Sequence, residues 1–302
     1  MRILVVGASG LVGFHVGKVL RERGHAVTSV ARSAAHGLDH RVDLGSASVE
    51  QLRTLLAGHD GVVFAARTDE QRPLRRPIHP VFRHDMVEPV VRLFGAARDE
   101  GLTRGVIMGS YYTYFDRLHP QWRLPERHVY VRCRVDQAQE ARVAAGPGLP
   151  VAVLELPFVF GRAGERLPNW APALSRWVMS RSPLVAPPGG TAATSARRVA
   201  EVAADALESG SGQDIPVADE NLAWSEMITR IAAAAGRPRR AVRLPAVAVR
   251  ASLGLAGTLQ ALSGRESGTD LRHLPDLLLA DLFIEPASGQ PLTEAIEETF
   301  GP

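Results

Sequence analysis

The chain has 302 residues, of which 45% are hydrophobic and 22% charged, and a formal charge of +3. That suffices to bury a sizeable core as one large or two modest domains, and it is ordinary for a globular protein. One cysteine, Cys133, excludes an intramolecular disulfide, and no Cys/His cluster gives reason to expect zinc.

The positive charge is almost all arginine, Lys18 being the one lysine, and no basic stripe with interleaved aromatics points to nucleic acid. No uncharged stretch reaches the roughly 18 residues of a membrane helix. The N-terminal apolar run is too short for a signal peptide. A cytoplasmic protein without membrane contact, a monomer or a homodimer, is the expectation.

In chain order, the apolar run Arg2 to Val6 breaks into Gly7-Ala8-Ser9-Gly10-Leu11-Val12-Gly13 and continues as a helix-like stretch to about Arg23. A strand, a glycine turn and a helix start bind the pyrophosphate of a dinucleotide. Gly7 allows the tight turn, Gly10 the close approach of phosphate, and Gly13 the packing of helix on strand. The helix N-terminus, with Ser9, Leu11 and Val12 around it, offers free N–H groups to the phosphates. The next strand, Ala26 to Ala31, ends in Arg32-Ser33. An acidic residue there would repel a 2′-phosphate; arginine and a hydroxyl attract one, so NADP(H) is favoured over NAD.

Further strands are expected from Gly61, Gly105 and Val151, with helices over roughly Val81 to Glu100 and His128 to Ala145. This alternation predicts an α/β fold, a Rossmann-type doubly wound parallel sheet with helices on both faces. The site should lie beyond the carboxyl ends of the strands, near Ala65, Ala66, Ser110 and Pro157. Pro/Gly-rich breaks at Pro187 to Gly190 and Ser209 to Gly212 punctuate the second half. Helix-like stretches run over Ala196 to Glu208, Trp224 to Ala235 and Pro245 to Ser263, and short strand-like pieces over Asp214 to Ala218 and Ala241 to Leu244.

Several segments together resemble the extended or atypical short-chain dehydrogenase/reductases, the group that includes nucleotide-sugar epimerases and dehydratases. They are the spacing of Gly7, Gly10 and Gly13; Asp43-Leu44; Val62-Val63-Phe64-Ala65-Ala66-Arg67; Val106 to Ser110 followed by Tyr114; and Leu154 to Gly161. The resemblance implies that Asp43 and Leu44 lie beside adenine, that Ala65, Ala66 and Arg67 line the cofactor, and that Pro157 lies near the nicotinamide. It also implies an NADP(H)-binding domain over residues 1–160. Residues 161–302 would form mainly a small helical substrate lobe, with a segment returning to the sheet.

The family's catalytic pair, Tyr-x-x-x-Lys on a helix, is not matched, because Lys18 lies on the helix after the glycine turn. The nearest match is Tyr130-Val131-Arg132-Cys133-Arg134, with arginine in the lysine slot. Tyrosine and arginine four apart share a helix face, but a permanently charged arginine cannot relay a proton. A second register puts Arg132 and Asp136 in the two slots. Ser110, at a strand end, is the other catalytic candidate, its hydroxyl holding a substrate carbonyl.

Carbonyl reduction tolerates the altered pair better than oxidation of a sugar alcohol does. The expectation is an NADPH-dependent oxidoreductase, a ketoreductase acting on a small-molecule ketone such as an aromatic polyketide in antibiotic biosynthesis, where an acidic substrate hydroxyl could supply the proton. A nucleotide-sugar epimerase or dehydratase, and a non-catalytic NADP(H) sensor, are the alternatives.

Overall fold

A computed structural model describes residues 1–32, 37–66 and 71–301. Ser33 and Arg67 lie outside the described residues. The first part of the chain contains β1 (Arg2–Val6), α1 (Leu11–Glu22), β2 (Ala26–Ala31), β3 (His40–Arg41), α2 (Val49–Leu56), β4 (Gly61–Phe64) and β5 (Leu74–Arg75). Then come α3 (His79–Met86), α4 (Glu88–Asp99), β6 (Arg104–Met108), α5 (Tyr111–Leu118), α6 (Leu124–Arg127), α7 (Val129–Ala145) and β7 (Val151–Glu155). The next elements are β8 (Phe158–Phe160), α8 (Ala171–Met179), β9 (Val185–Ala186), β10 (Gly190–Ser195), α9 (Ala196–Ser209), β11 (Asp214–Pro216) and β12 (Glu220–Ala223). The chain ends with α10 (Trp224–Ala234), β13 (Val242–Arg243), α11 (Ala246–Leu262), β14 (Arg265–Glu266), α12 (Leu274–Leu278), β15 (Asp281–Leu282) and α13 (Thr293–Phe300).

Seven strands form a central sheet in the order β11-β7-β6-β4-β1-β2-β3, every pair parallel. This is the expected Rossmann-type architecture. Its strands are apolar on both sides because both faces are covered. Alternate residues serve opposite faces: Leu4, Val6, Val62, Phe64 and Ile107 pack with α2, α4 and α7. Ile3, Val5, Val63, Val106 and Leu154 pack with α1 and α9. The strand order reverses between β1 and β4, so the crevice that binds ligand opens beyond their carboxyl ends.

The remainder packs around a smaller sheet, β12-β10-β15, with β8 also paired to β10. Its core joins Phe160, Trp224, Ile231 and Phe300. Strand β11 returns to the edge of the main sheet beside β7.

Two elements differ from expectation. The single helix expected over Val81 to Glu100 is broken at Val87, with Pro89 in the first turn of α4. Proline lacks the N–H and crowds the carbonyl four residues back, so the axis changes there. The expected Pro/Gly break ends at Gly190, where β10 begins. A Cβ at Gly190 would stand 2.5 Å from the Phe283 ring and 2.8 Å from the Leu222 carbonyl oxygen. Glycine is used there for close packing inside a sheet, not for a turn.

Candidate functional site

At the end of β1, Gly7 turns with φ +84°, and its N–H and that of Ala8 both donate to the Val30 carbonyl. A Cβ on Gly7 would fall 2.6 Å from the Ala65 carbonyl carbon and the Ala66 nitrogen, and one on Gly13 only 2.3 Å from the Gly7 oxygen. Both positions therefore require glycine. Gly10 is the N-cap of α1 and offers no side chain to cap it, and the first turn holds no acidic residue. The N–H groups of Leu11, Val12 and Gly13 are thus left for an anion, as helix starts require partners from outside the helix. These residues fit a dinucleotide pyrophosphate.

Arg166, 157 residues along the chain, donates from its guanidinium to the Ser9 carbonyl. His15 on α1 contacts the Arg162 carbonyl at 2.9 Å, which fixes the same loop against the turn. A positive charge therefore stands at the rim of the pyrophosphate cradle, and nothing in the local sequence around Arg166 marks it.

Arg32, exposed, directly follows β2. Arg41 on the neighbouring β3 donates from Nε to the Arg32 carbonyl at 3.1 Å, adding a second cation that sequence reading missed. Asp43 is exposed, and its carboxylate accepts the Gly45 N–H at 3.1 Å in a turn that presents the segment. The Leu44 side chain is buried in the core, so its contribution to an adenine pocket would come from the backbone. Arg32→Ala is expected to weaken NADPH binding roughly 10- to 100-fold, the loss of charge-assisted bonds to phosphate. NADH binding should stay unchanged; calorimetric titration with both nucleotides checks this.

Ser110 follows β6 by two residues and caps α5, its Oγ accepting the Tyr112 N–H at 3.4 Å and its carbonyl the Thr113 hydroxyl at 2.7 Å. In that bond the Oγ is the acceptor, so its own proton is not used there. On α7 the buried face carries Tyr130, Arg134, Gln137, Ala141 and Ala145, at helical spacing, whereas Arg132 is exposed. Arg134 donates from Nε to the Tyr130 hydroxyl at 3.1 Å, and from Nη1 to the Met108 carbonyl at 3.1 Å and to Gln137 Oε1 at 2.8 Å. Gln137 in turn donates to the Met86 carbonyl at 2.6 Å. Arg134 is therefore anchored to the end of the strand that delivers Ser110, and it holds the Tyr130 oxygen with a permanent positive charge. Tyr130 also meets the Tyr112 ring edge-on at 6.4 Å. The Tyr111 ring lies 4.7 Å from that of Tyr112; its hydroxyl is 3.1 Å from Thr191 Oγ1, and burial pushes its pKa up to about 12.

The carboxyl ends of β6 and β7 stay in register through Gly109 N–H to the Leu154 carbonyl and Tyr111 N–H to the Leu156 carbonyl. Half-buried Pro157 therefore follows directly beside Ser110. Fully buried Glu155 receives both Arg117 nitrogens, at 2.8 and 2.7 Å, and the Thr113 hydroxyl, which pins α5 to the sheet.

His128 caps the start of α7 and is buried. Its Nδ1 accepts the Asp270 N–H at 3.1 Å, so its proton sits on Nε2. Burial, reinforced by His273, lowers its pKa to about 4. A folded value below the ordinary one of about 6.5 means full stability above that pH. As pH falls from about 6.5 towards 4, about 3 kcal/mol should be lost. His128→Asn, whose Oδ1 can accept the same N–H, should flatten that slope in urea unfolding at about pH 7 and pH 4.5. A cavity of about 510 Å³ lies beside His128, between Trp122 and Arg250. None of the residues expected at the site lines it. Among the described residues no cluster of three His, Cys, Asp or Glu could hold a metal.

A profile described as NAD(P)H-binding matches residues 7–158. The solved structure of gox2253 superposes with a TM-score of 0.74 at 19% identity, covering 98% of this chain and 96% of its own. UDP-N-acetylglucosamine 4-epimerase from Bacillus cereus gives 0.68 at 16%, with 99% and 95% covered. Human epimerase family protein SDR39U1 with NADPH gives 0.67 at 18%, with 99% of both chains covered. No curated protein matches.

Proposed function

Since the chain belongs to the NAD(P)H-binding family, with the fold of the extended short-chain dehydrogenase/reductases, we propose that it is an NADPH-dependent ketoreductase acting on a small-molecule ketone. An aromatic polyketide is the substrate class we favour. The observation that carries this reading is the bond from Arg134 to the Tyr130 hydroxyl.

Bound NADPH supplies a hydride. The chain's residues then have to hold the carbonyl and manage one proton. The Ser110 hydroxyl donates to the carbonyl oxygen and orients it. Tyr130 accepts from Arg134, so its own proton points away from that bond and is given to the oxygen as charge develops. Arg134 keeps its Nε–H on the Tyr130 oxygen while the proton leaves. It cannot return the proton, so Tyr130 is recharged from water or from an acidic substrate hydroxyl. The reverse reaction requires a base with a relay behind it, which arginine does not provide; this supports reduction over epimerisation. The Tyr112 ring and Tyr130 offer an aromatic wall suited to a flat ketone.

The test is NADPH oxidation, followed by absorbance, with a panel of quinones, aromatic polyketide ketones and 4-keto nucleotide sugars. Turnover of an aromatic ketone supports the reading. Turnover confined to the nucleotide sugars makes the protein an epimerase or dehydratase, and tight NADPH binding with no turnover makes it a sensor.

A further inference from the structure

Residues 227–265 contain seven arginines and no acidic residue, in a chain whose formal charge is only +3. Arg230 pairs with Glu220 and Glu226, and Arg250 with Asp276. Arg237 and Arg239 donate to main-chain carbonyls of Met179, Ser182 and Val178, which do not neutralise them. Arg240, Arg243 and Arg265 are exposed. Arg240 and Arg243 precede α11 and Arg265 follows it.

Between them α11 runs 17 residues with Arg250 as its one charge, and only Val249 and Gly257 are buried. Its inward side is fixed, since a Cβ on Gly257 would stand 2.9 Å from the Arg272 nitrogen. The outward side is apolar: Val247 is 78% exposed, Leu255 64%, Leu259 59% and Leu262 80%. With Val242, these are five of the twelve exposed large hydrophobic side chains among the described residues, gathered within residues 242–262. Apolar side chains scattered singly over a surface need no explanation, but a contiguous group with a charged rim marks an interaction face.

We propose that α11 and its flanking arginines dock on an anionic lipid bilayer, the helix lying in the headgroup plane with Val247, Leu255, Leu259 and Leu262 inserted. No helix among the described residues is long and apolar enough to cross a membrane; lying on one requires only an apolar face and cations near the headgroups. The charge pattern selects this occupant over a second copy of the chain. A two-fold pair would bring the same arginine-rich face against itself, where like charges repel. This revises the expectation that the protein has no membrane contact.

The test is flotation of the full chain with phosphatidylcholine vesicles and with vesicles of equal parts phosphatidylcholine and phosphatidylglycerol, at low and high salt. Binding to the anionic vesicles alone, weakened by salt, is expected. Arg240→Gln with Arg243→Gln should weaken it roughly 30-fold, at about tenfold for each 1.4 kcal/mol and one such unit or less per arginine. Leu255→Glu with Leu259→Glu should abolish it, while unfolding temperature and NADPH affinity stay as in the parent, since both side chains are exposed. Equal binding to both vesicle types, or none to either, overturns the proposal. So does a dimer in light scattering that the Leu255→Glu, Leu259→Glu variant disperses.

Discussion

Gly13→Ala should abolish measurable NADPH binding and destabilise the protein by about 3 kcal/mol, near the upper end for overpacking. The added methyl would lie 2.3 Å from the Gly7 oxygen, 2.7 Å from the Gly7 carbonyl carbon and 3.0 Å from the Ala8 Cα. All three are backbone atoms, so no side chain can swing aside. The helix must lift off the turn, and the N–H groups that would meet the pyrophosphate move with it. Calorimetric titration and thermal unfolding read the two effects separately. Gly254→Ala is the control: it sits inside α11 with nothing within 4 Å of the new methyl, and it should stabilise by about 0.5–1 kcal/mol through helix propensity alone.

Tyr130→Phe should lower kcat/KM for the ketone by roughly 10²- to 10⁴-fold, the range for loss of a positioned proton donor, with NADPH affinity unchanged. The ring keeps its contact with Tyr112, and Arg134 keeps its bonds to the Met108 carbonyl and Gln137, so the packing survives while the proton does not. Stopped-flow single turnover separates this chemical effect from product release. The unfolding temperature should fall in either case, because buried Arg134 Nε loses its acceptor; a purely structural role for Tyr130 would leave the single-turnover rate alone.

The glycine turn was legible because its constraint is local: three glycines, a strand before and a helix after leave one backbone path. The pairing of Tyr130 with Arg134 was legible as a spacing of four, which puts both on the buried face of α7, while Arg132 is exposed. Arg41 and Arg166 were not legible. One reaches its place through the pairing of β3 with β2, the other through a loop 157 residues from Ser9, and neither distance leaves a periodicity to read. The capping role of Ser110 appears only in the structure, and it is compatible with a catalytic one because a hydroxyl accepts and donates at once. Strand β10 was hidden for another reason. Thr191 to Ser195 has small and hydroxyl residues and no large apolar ones to mark a strand, yet Thr191 and Thr194 are fully buried beside partner strands remote in sequence.

One face of the sheet's first half is only partly covered, by α1, until late in synthesis. Val16, Leu20, Val63 and Val106 are covered by Val199, Ala200, Ala203 and Leu207 of α9, and β11 completes the edge beside β7 only after that. Even the first turns of the chain are tied there, through Arg23 to Asp205 and Glu208 and through His25 to Glu208. At roughly 5–20 residues per second, a ribosome that has finished β7 still needs seconds to deliver α9. For that interval the nascent chain presents an apolar parallel sheet with one face covered by α1 alone, the kind of surface that chaperones hold.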